Sequence, residues 1–409
     1  MRCRHCGADL RLPFIDLGSA PPSNAYLNQE SLHAPEKWYP LRVLVCTECW
    51  LVQTEDYAHC AELFSAEYAY YSSFSATWLR HAECYVEMMV QRFGLDETSQ
   101  VVEVASNDGY LLQYVKGHGI PCLGVEPTAG TAQAARNKGI DVIEEFFGIE
   151  FARSLVASGK SADLMVANNV LAHVPNINDF VGGFSLLLKP NGVATFEFPH
   201  LLRLVQENQF DTIYHEHFSY LSLTALLHIF DRNGLVVFDV EELTTHGGSL
   251  RVYAQRSDTG KRAPSERVKQ LTEMEIEAGI TTRNFYAKFQ LKAEQVKNEF
   301  LFFLIEAKKS EKTVAAYGAA AKGNTLMNYA GIRPDLIRFV VDLNPVKQGK
   351  FMPGSRIPIV GETSLQAAKP DYVVIFPWNL RNEIIEQVAY VRQWGGRFVT
   401  AVPEMTCEC

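Results

Sequence analysis

Apolar side chains recur at helical spacing from about residue 75 to 95, and beyond them short apolar runs alternate with amphipathic stretches. Val101-Val102-Glu103-Val104-Ala105 reads as a buried strand, Ser106-Asn107-Asp108-Gly109 as a tight turn and residues 110–116 as a helix. A second strand is expected at Cys122-Leu123-Gly124-Val125-Glu126, a helix at 129–138, and further strands at 163–167 and 192–197. Strands alternating with helices predict an α/β fold built on a mostly parallel, doubly wound sheet. Residues 265–309 are charged and helical in period, with Gly279 as a break, and are expected to bridge two domains. A second, Rossmann-like α/β unit follows, with strands at 314–318, 337–342, 372–376 and 397–402 and a helix at 324–329.

A chain of 409 residues exceeds one ordinary hydrophobic core, so two or three domains are expected. The patterns divide it into an N-terminal module over 1–70, a central domain over 71–262 and a C-terminal domain over 263–409. With 47% hydrophobic and 21% charged residues the composition is that of a soluble globular protein. Lys and Arg total 38 against 47 Asp and Glu, a formal charge of -9 that disfavours nucleic acid or an anionic membrane and favours small-molecule partners. No apolar stretch is long enough to span a bilayer, and Met-Arg-Cys-Arg-His-Cys is unlike a signal peptide, so a cytoplasmic protein is expected. The oligomeric state is left open.

Cysteine usage changes the picture of the N-terminal module. Cys3/Cys6 and Cys46/Cys49 form two Cys-x-x-Cys pairs, and four thiolates close a tetrahedral Zn2+ site, which suits structure better than catalysis. Redox pairs or simple buried thiols are the alternative. The 39 residues between the pairs carry turn signals of their own, among them Pro21-Pro22-Ser23-Asn24.

The two α/β units differ in the charge they offer a ligand. The first turn, Ala105 to Gly109, is flanked by Glu103 and Asp108, which would repel a phosphate but suit S-adenosylmethionine, with its ammonium and sulfonium groups. Glu126, at the end of the second strand, is placed to accept from both ribose hydroxyls, and Asn168 and Asn169 fall near the same mouth. A surface charge and a helix cap would explain the same acids more plainly. The second unit has Gly318-Ala319-Ala320-Ala321-Lys322-Gly323, small residues with a lysine at a helix N-terminus, which makes a diphosphate cradle, followed by Asp342 where a ribose-binding acid belongs. Close packing of helix on strand explains those glycines equally well.

Between the two units lies Tyr214-His215-Glu216-His217, two imidazoles, a carboxylate and a phenol in four residues. An active site is one explanation. A half-buried strand with locally satisfied polar atoms is another, and a metal site is a third, since His215 and His217 share one face of an extended segment. The pair lacks the i, i+4 spacing of the helical zinc motif. His173 and His200 are further acid-base candidates, though a lone histidine is more often structural.

These runs resemble the sugar C-methyltransferases that act on nucleotide-linked 4-keto deoxysugars, along essentially the whole chain. The likeness is carried by the four cysteines, residues 103–109, Ala167-Asn168-Asn169-Val170-Leu171-Ala172-His173-Val174, residues 211–217, His246-Gly247-Gly248-Ser249-Leu250-Arg251 and Tyr317 to Asn324. The resemblance implies a zinc-binding module, a central S-adenosylmethionine-dependent methyltransferase domain and a C-terminal domain that helps bind the sugar nucleotide, often linked to thymidine diphosphate. It implies His217 as the base, with Glu216, Tyr214 and a tyrosine of Tyr68-Ala69-Tyr70-Tyr71 at the reacting sugar; Tyr68 and Tyr71 are both candidates. His200, His246, Ser249, Lys322, Asn324 and Asp342 are expected to face the substrate. Ala105 departs from the glycine that methyltransferases often carry there. The chemistry fits: carbon beside a ketone attacks a sulfonium methyl only after deprotonation, so a base is wanted at C3 and donors at the 4-keto oxygen. The pathway would be deoxysugar, antibiotic or surface-glycan biosynthesis. A nicotinamide-dependent sugar epimerase or reductase, and a non-enzymatic zinc-ribbon interaction protein, are the competing readings.

Overall fold

In a computed structural model that describes residues 1–57 and 71–408, seventeen strands fall into three sheets. In chain order they are β1 (Leu12–Ala20), β2 (Tyr39–Val45), β3 (Val52–Thr54), β4 (Val101–Val104), β5 (Cys122–Val125), β6 (Val142–Ile143), β7 (Ala162–Asn168) and β8 (Leu188–Pro199). There follow β9 (Ser219–Tyr220), β10 (Leu235–Leu243), β11 (Ser249–Arg256), β12 (Val314–Tyr317), β13 (Val340–Val341), β14 (Ile359–Val360), β15 (Tyr372–Ile375), β16 (Arg397–Thr400) and β17 (Thr406–Glu408).

The central sheet has the order β10-β11-β8-β7-β4-β5-β6, parallel except that β11 runs antiparallel to both its neighbours. All four residues of β4 are buried, as its unbroken apolar run and central place require. The chain order reverses between β4 and β7, which opens a crevice at their carboxyl ends. The helix Ala76–Phe93 packs on this sheet through Trp78, Ala82, Tyr85, Val86 and Met89. Ser75 caps its start by accepting from the Trp78 N–H, and Gly94 ends it in the left-handed region at φ 62°.

The C-terminal sheet, β14-β13-β12-β15-β16-β17, is parallel apart from β17. Its helix begins at Ala321 rather than near 324, which puts Lys322 in the first turn. The strand expected over 337–342 pairs only at Val340 and Val341, where β12 and β14 flank it. The bridge is broken near Gly279 (φ 91°) into Glu266–Glu277, Arg283–Tyr286 and Phe289–Lys309.

The N-terminal sheet has the order β1-β2-β3-β9, so its last strand comes from the central region and begins two residues after His217. Cores cross the same boundaries. Cys3, Leu44, Cys46, Cys49 and Leu51 pack into one core with Val102, Met165 and Phe184 of the central sheet. A second core runs from Phe14 and Val43 through Phe210 and Ile213 to Phe289, Val314 and Phe376. Phe14 stacks on Phe289 with ring centroids 4.4 Å apart and planes 8° from parallel. Replacing Phe14 by Ala is expected to cost about 3–5 kcal/mol, read as a lower denaturation midpoint in urea. Because this core is shared, the unfolding curve should remain a single transition.

Candidate active site

Glu103, Asp108 and Glu126 converge at the crevice of the central sheet, each no more than 5% exposed. Glu126 accepts from the Thr128 N–H at 2.9 Å and the Asn107 N–H at 3.0 Å, which ties the end of β5 to the turn after β4. Burial, together with the charges of Asp108 and Glu126, pushes the Glu103 carboxyl well above the ordinary range. Among the described residues, both oxygens of Glu103, Asp108 Oδ1 and both amide atoms of Asn168 are buried without a close hydrogen-bond partner, though the Tyr110 hydroxyl acts on both Glu103 and Asn168. Crowded carboxylates with unspent acceptors fit a cationic ligand and disfavour a phosphate. The backbone is tightly turned here: Ala105 and Asn107 sit at φ 58° and 50°, and Gly109 at 74°. A Cβ on Gly109 would fall 2.4 Å from Ile140 Cδ1, so this glycine is required, whereas Ala105 holds a conformation that costs a non-glycine residue about 1–2 kcal/mol.

Residues 213–218 form a turn, not a strand, and the two imidazoles of Tyr214-His215-Glu216-His217 go different ways. His215 Nε2 lies 3.2 Å and 3.3 Å from the Pro40 and Tyr39 carbonyls of β2. His217 Nδ1 lies 2.8 Å from the Thr212 carbonyl, and since a carbonyl only accepts, Nδ1 carries the proton and Nε2 the lone pair. His173 repeats the arrangement, its Nδ1 2.8 Å from the Glu216 carbonyl, and its ring meets that of His217 edge-on at 4.6 Å. The Tyr214 ring lies against His217 at 4.0 Å. Burial lowers the pKa of both histidines, His173 to about 4 and His217 well below the usual range, the second helped by its histidine neighbour. Burial pushes Glu216 up to about 7. Thr54 donates to the His217 carbonyl at 2.6 Å, so the turn is pinned to β3 as well as followed by β9.

The opposite wall comes from the C-terminal region. Lys322 donates to Asn379 Oδ1 at 2.7 Å and lies 4.4 Å from the Trp378 ring centre, while Trp378 Nε1 donates to Asp211 Oδ2 at 2.8 Å. Burial raises Asp211 to about 6 against the attraction of Lys322. His246, at φ 55°, lies with its ring centre 5.2 Å from that of Trp78 and its Nε2 3.3 Å from Asn169 Nδ2. Asn324 is 1% exposed, with Nδ2 unspent. Asp342 accepts from the Ala319 and Asn344 N–H groups at 2.8 Å, with Lys347 at 3.6 Å.

Other candidates are engaged elsewhere. His200 Nε2 is held at 2.7 Å by Glu275, which also accepts from the N–H groups of Leu223 and Thr224. Ser249 Oγ donates to the Thr245 carbonyl at 3.0 Å. Tyr71 Oη lies beside Gly130, where a Cβ would meet it at 3.2 Å, on the crevice side of the central sheet. Tyr68 lies outside the described residues. The glycines of the second loop are explained by packing, since a Cβ on Gly318 would strike Pro377 at 2.4 Å and one on Gly323 would strike Phe376 at 2.6 Å. Asn24, Trp378 and Asn379 enter the site without having been singled out; Asn24 carried only a turn signal.

The Sγ atoms of Cys3, Cys6, Cys46 and Cys49 lie within 4.8 Å of one another. The pairs Cys3/Cys49 and Cys6/Cys46 are 3.6 Å and 3.5 Å apart. Four thiolates at Zn–S distances of about 2.3 Å would be about 3.8 Å apart, so the group fits zinc. Gln53 donates to Cys3 Sγ at 3.3 Å and Arg4 N–H to Gln53 Oε1 at 2.9 Å, a supporting layer around the thiolates.

Models of known families match in three consecutive pieces: a zinc binding domain over 3–64, a methyltransferase domain over 78–240 and a C-methyltransferase C-terminal domain over 244–403. The chain is 35% identical over 402 residues to C-methyltransferase NovU of Streptomyces niveus, an alignment covering 98% of this chain and 95% of that one. The chain belongs to the C-methyltransferase family. Solved structures that it resembles include magnesium protoporphyrin IX methyltransferase of Synechocystis with bound S-adenosylmethionine (TM-score 0.34, 14% identity, 44% of this chain and 79% of that). Another is an S-adenosylmethionine-dependent methyltransferase of Clostridium acetobutylicum (TM-score 0.36, 11% identity, 44% and 92%). This C-methyltransferase uses S-adenosylmethionine, and its N-terminal module is zinc-binding. Among its described residues no helix is long and apolar enough to cross a membrane. Elemental analysis of the purified C-methyltransferase should find one zinc per chain, and Cys49→Ser should lose the metal and lower the denaturation midpoint.

Proposed function

We propose that the C-methyltransferase removes the C3 proton of a nucleotide-linked 4-keto deoxysugar, with thymidine diphosphate as the carrier, and methylates the resulting enolate. The observation that carries this reading is the buried, neutral His217 with Nδ1 tied to Thr212 and a lone pair on Nε2. A base held at low pKa keeps its lone pair at neutral pH but is thermodynamically weak, so the C3 proton must be acidified by a donor at the 4-keto oxygen. Tyr214, against the His217 ring, is the proposed donor, with Tyr68 or Tyr71 as the further tyrosine at the sugar. Glu216, ionised, orients a sugar hydroxyl, and His173 keeps the surroundings of the base neutral.

Glu103, Ala105, Asn107, Asp108, Gly109, Glu126, Asn168 and Asn169 are the proposed contacts of S-adenosylmethionine. When bound, it supplies an electrophilic methyl group. Lys322 and His246 are proposed to meet the substrate's phosphates and sugar, with Asn324 on the same helix as Lys322 and Asp342 at the end of β13. His200 and Ser249, held by Glu275 and the Thr245 carbonyl, are proposed to support the fold around the site rather than to touch substrate.

Incubation with a panel of 4-ketosugar nucleotides and S-adenosylmethionine should give a product heavier by one methyl group; no mass gain with any of them would overturn the substrate class. His217→Asn should lower kcat by about 100- to 10,000-fold, with S-adenosylmethionine affinity retained in calorimetry. The pH profile follows from Glu216. Its pKa is raised to about 7, so ionised Glu216 is lost as pH falls through that value, while His217 protonates only well below its usual range. The acid limb of kcat should therefore lie near the Glu216 value, and Glu216→Gln should remove it.

A further inference from the structure

We propose that Asn24, from the zinc-binding module, is a positioning residue for Glu216: it holds one carboxylate oxygen and leaves the other for substrate. The inference rests on the reading of Glu216 as a substrate-facing acid. The Asn24 backbone N–H and side-chain Nδ2 both donate to Glu216 Oε1, each at 3.3 Å. Among the described residues Glu216 Oε2 is buried and has no hydrogen-bond partner. A carboxylate with one oxygen doubly bonded and the other unspent presents a single acceptor in a fixed direction.

The turn that carries Asn24 is itself clamped. Ala25 N–H donates to the Pro22 carbonyl at 3.1 Å and Tyr26 N–H to the Asn24 carbonyl at 2.9 Å. Tyr26 Oη donates to the Ala319 carbonyl at 2.6 Å, and Lys347 Nζ reaches the same carbonyl at 2.8 Å. One step on, Leu27 and Phe351 exchange backbone hydrogen bonds at 3.0 Å and 2.8 Å. Asn24 therefore stands between the C-terminal loop at 318–323 and Glu216, and its place is set by the former.

The consequence is electrostatic as well as geometric. Among the described residues the titratable groups that sense Glu216 are Tyr26 from the N-terminal module and Tyr220 of β9; His173 meets its backbone carbonyl, His215 and His217 flank it in the chain with their rings turned to other carbonyls, and Lys347 and Asp342 act on Tyr26. Burial raises the Glu216 pKa and the Asn24 donors oppose that rise by stabilising the carboxylate. Removing the side-chain donor raises it further.

The test uses the full-length, zinc-loaded enzyme and measures kcat against pH for wild type, Asn24→Ala, Asn24→Asp, Glu216→Gln and the Asn24→Ala/Glu216→Gln double variant. Asn24→Ala is expected to move the acid limb of kcat up by about one pH unit, leaving the KM for S-adenosylmethionine unchanged. Asn24→Asp, which keeps the side-chain size and guards against a misfolded alanine variant, should move it further, because a second carboxylate faces Oε1. In the Glu216→Gln background Asn24→Ala should produce no shift. An unmoved limb in both Asn24 variants, with Glu216→Gln abolishing it, overturns the positioning role and leaves the assignment of Glu216 intact. An unchanged limb in Glu216→Gln overturns both at once, while the methyl-transfer assay still judges the C3 reaction separately.

Discussion

Apart from the partly exposed Tyr214 the turn at 213–218 is buried, and the fold around it has to hold most of its polar groups without water. An imidazole sealed in low dielectric stays neutral, and its tautomer is then chosen by the nearest fixed acceptor. For His217 that acceptor is the Thr212 carbonyl, and for His173 it is the Glu216 carbonyl. The enclosure needs three parts of the chain. β3 takes the downstream residues as its sheet partner, the central sheet lies on one side, and Trp378 and Lys322 close the other. The shared core from Phe14 to Phe376 holds those parts in register.

Charge is divided across the cleft so formed. Three carboxylates crowd the mouth of the central sheet, whereas Lys322 and neutral histidines stand toward the C-terminal domain. The Lys322 charge is itself balanced by Asp211, so the two walls differ in the degree of their negative charge. The zinc-binding module is part of this division. Its cysteines are packed in the same core as the central sheet, its strand β3 supports His217, and its turn reaches Glu216.

The four strands β4, β5, β7 and β8 of the central sheet were legible because they are apolar runs followed by turns, as at Val101 to Gly109, whereas the two-residue β6 and the outer strands β10 and β11 were not read from the sequence. The four-cysteine group was legible from spacing. The N-terminal sheet was not: β9 is two residues long and β3 three, and their pairing joins Gln53 to Ser219, a contact that no local pattern encodes. The same holds for Asn24, whose sequence context says turn and whose role depends on a partner far along the chain. The glycines at 318 and 323 illustrate the converse, since their local pattern suits a phosphate loop while Pro377 and Phe376 supply a packing reason for both.

The proposed chemistry requires His217 to be a neutral imidazole with its lone pair on Nε2. Nitrogen-15 NMR of histidine-labelled enzyme reads this directly, because the two ring nitrogens and the two protonation states have distinct shifts. A neutral ring protonated on Nδ1 is expected at neutral pH. An imidazolium at neutral pH, or a neutral ring protonated on Nε2, would contradict it.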